Sequence, residues 1–410
     1  MWTKGVQAAD LFPPTREAAL VRINAVRPDD YARSRNALEG AVSYLSPYIT
    51  HGLVSLPEVL AGVAERHALA AQHKFVFELG WRAYFRHVWQ HRGADILESL
   101  HEGPLPHACY GPLLPSDIRH AVTGVPVIDM AVRTLYATGY LHNHARMWLA
   151  SYIVHVRKVH WRVGADWLYG HLLDGDLASN QLSWQWVAGT SSRKPYLFNA
   201  ENVARFAPPA WHSPGSVIDQ SYEALDQLAR QPQDYGHAAN ASLKSPAVFK
   251  EPPVSAVPPF ECGWSAPDGR ALAGRDVWLV HPWNLGELPA SLPEDTVVLG
   301  IFLNEFHQAW PWSARRWRFV ASRMADMVTL CWQGDAATIG SALRGARSVG
   351  SVDEPHLNPW LARLAGCDAA PALFPVVDRR CDAFSPWWTR AMRGIHSAAD
   401  LLAAQQAPAW

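Results

Sequence analysis

Apolar residues recur at helical spacing through Phe75–His87 (FVFELGWRAYFRH) and again across Gly124–Arg162. The second stretch predicts a helix from Val127 to Leu135, a stop at Thr138-Gly139-Tyr140, and a further helix from His142 to Lys158. Beyond residue 270 the texture changes to short apolar runs: Asp276–His281, Thr296–Phe302, Met327–Gln333, Ser348–Asp353 and Ala372–Val377. Helical patterns at Ser313–Ala325 and Ala336–Arg344 fall between them, so strand and helix alternate, and a parallel doubly wound sheet is predicted. Pro208–Arg270 is rich in Pro, Ser and Ala, with one helical stretch near Gln220–Arg230, and reads as a linker. The expected organisation is a helical domain over 1–207, a linker over 208–272, an α/β domain over 273–390 and a tail over 391–410.

Leu172–Thr190 (LLDGDLASNQLSWQWVAGT) fits neither the helical nor the strand period. It places Asp174, Gly175 and Asp176 in a turn signal, since Asx side chains bond their own backbone and Gly tolerates positive φ. The amides Asn180 and Gln181 and the tryptophans Trp184 and Trp186 follow within ten residues. Carboxylates held in a turn accept hydrogen bonds from a ligand, and tryptophan faces receive an aromatic ring. The same residues also suit a surface turn followed by core aromatics, and taken alone the two readings stand about even.

Composition narrows the field. A chain of 410 residues with 49% hydrophobic content and net charge −1 is large enough for two or three globular domains. There is no run of ~18 uncharged apolar residues and no signal-type leader, which points to a cytoplasmic protein without a membrane partner. Five scattered cysteines lack a CxxC pair, which argues against zinc, a four-cysteine cluster and a secreted disulfide scaffold, so no metal is expected. Near-neutral charge gives no global footprint for nucleic acid, so contact with DNA would need a local basic face. The twenty tryptophans are mostly core filling.

The segment DGDLASNQLSWQW followed by AGT resembles the flavin-cradling core of the photolyase/cryptochrome family. Other blocks resembling that family lie upstream in the same order, and the likeness runs from about Tyr31 to Phe206. It implies a mainly helical FAD-binding domain, with FAD held by Tyr31, Ser43, Leu45, Ser46, Arg146, Asp174, Asp176 and Asn180. Ser43 to Tyr48 resembles a phosphate-holding block, with Val42 where the family usually has Thr; read without the family, Ser43 and Ser46 are ordinary helix caps. Arg146 is placed to pair with Asp174, and Asn180 to stand beside the flavin N5. Arg82 and Arg86 suit either flavin contacts or surface charge.

By the same resemblance Glu78, Trp81, Asn143, Met147 and Trp186 form a substrate pocket. Its (6-4)-repairing branch carries histidines at the positions of Asn143 and Met147, so the set reads as that of a cyclobutane-dimer photolyase acting on DNA. A cryptochrome-like photoreceptor without repair is the alternative. Trp184 and Trp161 match the inner two members of the family's electron-transfer chain; the outermost has no evident counterpart, with Tyr110 or another tryptophan a candidate. Arg193 and Lys194, in a loop shorter than the family's, are candidate DNA contacts, and His144 stands where many members have Arg. The family's antenna domain precedes its flavin domain, whereas the predicted sheet here follows it, so the chain reads as circularly permuted. The turn after the first strand, His281 to Gly286, lacks a GxGxxG and so argues against a dinucleotide there. Any antenna chromophore stays open, and a monomer is favoured.

Overall fold

The computed structural model describes residues 11–192, 194–232 and 249–406. They divide into two compact units: residues 29–42 and 85–252 make up the first, and residues 12–28, 43–84 and 253 onward the second. This division differs from the expected boundaries at 207 and 272, and the reasons are long-range contacts that local composition does not reveal. Residues 208–252 stay with the first unit. Lys158 Nζ donates to the carbonyls of Leu228 (2.6 Å) and Ala229 (2.9 Å), closing the end of the helix Tyr222–Arg230. Glu251 accepts from Trp167 Nε1 at 2.9 Å and shares a hydrogen bond with His171 at 3.1 Å.

The first unit is helical. Pro126–Thr138, Asn143–Ser151, Trp161–His171 and Leu177–Ala188 pack around a core that includes Trp148, Trp161, Leu168 and Trp184. The expected helix from His142 to Lys158 ends early: a single π-turn over Tyr152–Val156 follows Ser151, and Lys158 then adopts a positive φ of 51°. Asp176 caps the helix Leu177–Ala188 through its carboxylate, which accepts from Ser179 N at 2.9 Å. The aperiodic polar residues of 172–190 therefore span a buried turn and the helix behind it.

The second unit carries a five-stranded parallel sheet. Its strands are β2 (Asp276–Val280), β3 (Val297–Leu303), β5 (Leu330–Gly334), β6 (Ser348–Val352) and β7 (Gly366–Asp368), in the order β5-β3-β2-β6-β7. A small antiparallel ribbon pairs β1 (Val254–Ser255) with β4 (Trp312–Ser313). Helices Ala314–Ala325 and Ala336–Leu343 connect strands as expected, each capped by the residue before it, Ser313 and Asp335. The fifth expected strand, Ala372–Val377, is a correction: that run is irregular, and the edge strand is Gly366–Asp368. Pro371 and Pro375 cannot donate to a ladder, which removes the run from the sheet.

The expected tail over 391–410 is also corrected, because Ala398–Gln406 is a helix with Leu401 fully buried. The helix Phe384–Ala391 packs on residues 74–84 of the helix Lys74–Arg92, where a Cβ on Gly80 would come within 2.4 Å of Trp388. Arg16 ties three further pieces of this unit together, pairing with Glu58 (2.5 Å) and Glu287 (2.9 Å) and donating to Leu53 O (2.8 Å). No described helix is long and apolar enough to cross a membrane.

Candidate functional site

The turn at Leu173–Asp176 is the centre of the helical unit's polar core. Asp174 is buried, and both its oxygens accept from Arg146 Nη2, at 2.9 and 2.7 Å. Arg146 is itself steadied by donation from Nε to Leu141 O at 2.7 Å. Asp176, whose side chain is fully buried, accepts from Arg86 Nη2 at 2.8 Å while capping the helix. Both acids therefore lie out of water opposite a guanidinium, the arrangement that keeps buried carboxylates ionised and oriented. Asn180 donates from Nδ2 to Ala165 O at 2.9 Å, which leaves its carbonyl oxygen as the end to meet a ligand. On the preceding residue the buried Ser179 Oγ has no partner.

Arg86 holds Asp176 from 90 residues away. Arg82 instead donates to Thr50 Oγ1 at 2.6 Å within the second unit. His142, just before Asn143, is pushed down to about 4 by burial and by the neighbouring His144 and Arg146, so it is neutral near neutral pH. His144 is buried, its Nδ1 2.7 Å from Asn36 O and its ring against Trp148 and Phe206, so its side chain does not face solvent.

Asn143 and Met147 stand side by side on one helix face, with Nδ2 3.7 Å from the Met147 sulfur. Trp184 and Trp186 point opposite ways: Trp184 is buried and Trp186 is 41% exposed, its ring 5.5 Å from Tyr196. Trp184 lies over Gly164, where a Cβ would approach its ring to 2.5 Å, so only glycine admits it there. Trp161, one turn before Gly164, is equally buried and donates from Nε1 to Ser99 Oγ at 2.9 Å. The two tryptophans thus occupy adjacent packed helices. Exposed Lys194 sits in a loop folded back by Ser192 Oγ, which bonds Trp186 O and Lys194 O; Arg193 lies outside the described residues. Tyr31 is half-buried in Pro28–Ser34.

The remaining expected site residues belong to the second unit. Leu45 is buried ahead of the short helix Ser46–Thr50, and Ser43 Oγ accepts from Leu45 N at 3.4 Å. Glu78 pairs with Lys74 at 3.2 Å. Trp81 stacks on Phe384 with centroids 4.1 Å apart and planes 14° from parallel, so one face of its ring is covered. Nothing in the residues around Trp81 signalled that contact, since Phe384 is 303 positions away. Among the described residues no group of three or more His, Cys, Asp or Glu is arranged to hold a metal ion.

The polar set fits a flavin: buried acids that can accept its N–H and hydroxyl groups, an amide oxygen from Asn180, and an unpartnered Ser179 hydroxyl beside them. This defines an FAD-binding helical domain, and residues 75–210 match the FAD binding domain of DNA photolyase. That stretch is a domain of the photolyase/cryptochrome type, with FAD as its cofactor. It is 36% identical over 232 residues to a deoxyribodipyrimidine photo-lyase of Streptomyces griseus, covering 50% of this chain and 48% of that one. It is 29% identical over 229 residues to cryptochrome-1 of Arabidopsis thaliana, covering 51% and 32%. A Synechocystis cryptochrome structure matches 55% of this chain and 53% of its own at 25% identity, with a TM-score of 0.43. The chain spans about half the length of the photo-lyase relative, or less in the case of the cryptochrome.

Proposed function

We propose that this chain is a light-driven lyase that splits cyclobutane pyrimidine dimers in DNA. The observation that carries the reading is the exposed Trp186 and the Asn143–Met147 pair on the same unit as the Arg146–Asp174 cradle. FAD would be held on the helical unit by Arg146, Asp174, Asp176 and Asn180, with Tyr31 on the same unit, and when bound and reduced it would supply the electron that opens the dimer. Trp186 receives a flipped-out base through apolar and stacking contacts of ~1–3 kcal/mol per base. Asn143 and Met147, side by side on the helical unit, contact the dimer. Lys194 and Arg193 hold phosphates, so binding weakens with salt. Trp184 and Trp161 relay electrons to the oxidised cofactor under blue light. The sheet unit is a permuted antenna-like domain.

The cryptochrome-like reading is favoured by one observation: Phe384 already covers a face of Trp81. A single experiment separates the two. Protein purified in the dark, shown by its spectrum to hold FAD and then reduced, is lit with a thymine-dimer oligonucleotide and, separately, with a (6-4) substrate. Repair of the first and not the second is expected. Failure to bind or repair dimers in either single- or double-stranded DNA transfers the assignment to the photoreceptor.

A further inference from the structure

A cavity of about 340 Å³ lies within the helical unit, beside the electron relay. Buried Trp161 forms part of its wall, with His160, Tyr110 and His107 around it and Glu102 at an exposed position. Leu105, Val154 and Ala188 supply an apolar side. Its volume is at the small end of the range for ligand sites, roughly 300–1,000 Å³, and suits one or two fused rings.

The wall is aromatic and built in series. His160 is 5.6 Å from Trp161, 6.4 Å from Tyr110 and 4.3 Å from His107, centroid to centroid. His160 is driven down to about 4 by burial, then by His107 and Arg162, so its ring is neutral. Its Nδ1 accepts from Arg162 N at 3.3 Å, which puts the ring proton on Nε2 as a donor. The cavity therefore combines flat faces, a neutral donor and a carboxylate acceptor, next to a tryptophan that lies one helical turn from the residue under Trp184.

We propose that this cavity binds a small neutral quinol, and that the quinol returns an electron to Trp161 after the relay has been oxidised. The ring stacks among the aromatic walls, one hydroxyl accepts from His160, and the other donates to Glu102. An anion would meet the Glu102 carboxylate. In the step, the Trp161 radical cation takes one electron from the quinol and is restored. The quinol loses one electron and one hydroxyl proton, the proton passing to Glu102 and on to water, and leaves as a neutral semiquinone of the ligand. The electron step rests on the relay reading above; the binding site does not.

The test uses FAD-loaded full-length protein and 1,4-naphthohydroquinone kept anaerobic. Calorimetry in the dark is expected to show saturable binding at one site, and flash spectroscopy to show recovery of the Trp161 radical at a rate that saturates with quinol. Glu102→Gln, at an exposed position that does not threaten folding, weakens both by about tenfold, as loss of a charged hydrogen-bond acceptor should. Tyr110→Ala weakens dark binding as well. No dark binding, or recovery that rises linearly with quinol and is unchanged in Glu102→Gln, overturns the site. Saturable binding without faster recovery overturns the electron delivery. If no Trp161 radical forms while dark binding persists, it is the relay that fails, and the electron step with it, while the site stands.

Discussion

The two compact units bury polar groups on different terms. In the helical unit Asp174 and Asp176 are each met by an arginine, one 28 and the other 90 residues away in sequence. In the sheet unit His307 is buried among Phe306, Trp312 and Trp317, with neither ring nitrogen hydrogen-bonded. A charge taken out of water costs several kcal/mol unless a partner meets it, so a buried acid with a dedicated arginine marks a place where charge is wanted. A neutral imidazole costs far less to bury and can serve as packing. Burial alone therefore does not single out a site; the long-range partner does.

Removing one partner tests the comparison hardest. Asp174→Ala leaves Arg146 without its acid, and the protein should purify without FAD, seen as loss of flavin absorbance and no flavin released on denaturation. Breaking such a pair costs about 3 kcal/mol, the low end of the usual range because Arg146 keeps some contact with water. Urea unfolding measures that cost, and a variant with full flavin content would show that the pair is not part of the cradle.

The tryptophans give the next largest contrast. Trp184→Phe should leave FAD bound but strongly slow photoreduction under blue light, whereas Trp312→Phe in the sheet unit's ring cluster should leave photoreduction at the wild-type rate. Equal kinetics in the two variants would mean that electrons enter by a route other than Trp184 and Trp161.

Much of this difference was legible in the sequence, and the rest was not for a physical reason. The Asp-Gly-Asp turn, Asn180 and the Trp184/Trp186 pair lie within thirteen residues, so local chemistry exposed them. Four of the five strands were readable as apolar runs because parallel strands are buried on both faces. Gly366–Asp368 was not, since it is a three-residue edge strand with little apolar signal. Arg86 on Asp176, Phe384 on Trp81 and Trp388 over Gly80 are set by tertiary contacts, and no periodicity along the chain encodes them. The four-residue spacing of Arg82 and Arg86 put both on one helix face, yet only the fold assigns them to different partners.

Acid titration separates neutral burial from paired charge. His155 is buried, sharing a hydrogen bond with Val187 O at 2.9 Å through Nε2, and burial, with Lys158 nearby, pushes it down to about 4. Its folded value lies below the unfolded one of about 6.5, so its contribution is intact above pH ~6.5 and is lost as pH falls toward 4. The slope is up to about 1.4 kcal/mol per pH unit for each such group. Urea unfolding at several pH values should show a shallower acid limb for His155→Leu than for wild type. Parallel limbs would mean that His155 is protonated in the fold.

The smallest effect should be a gain. Both nitrogens of His307 lack hydrogen-bond partners, and burial, with Arg316 close by, drives its protonation well below the usual imidazole range. Leucine is of similar volume and brings no polar atoms, so His307→Leu removes the desolvation cost of two unmet groups while keeping most of the packing. It also forfeits ring contacts with Trp312 and Trp317, at centroid distances of 4.5 and 4.4 Å, which offsets part of the gain. The net expectation is a stabilisation of about 1 kcal/mol at pH 7, growing as pH falls below 6.5 because the variant has no imidazole to protonate. Thermal or urea unfolding reads it directly. A loss of 2 kcal/mol or more, roughly the cost of leaving a buried polar group unmet, would show that His307 holds a partner of its own and that the sheet unit, like the helical one, buries its polar groups for a purpose.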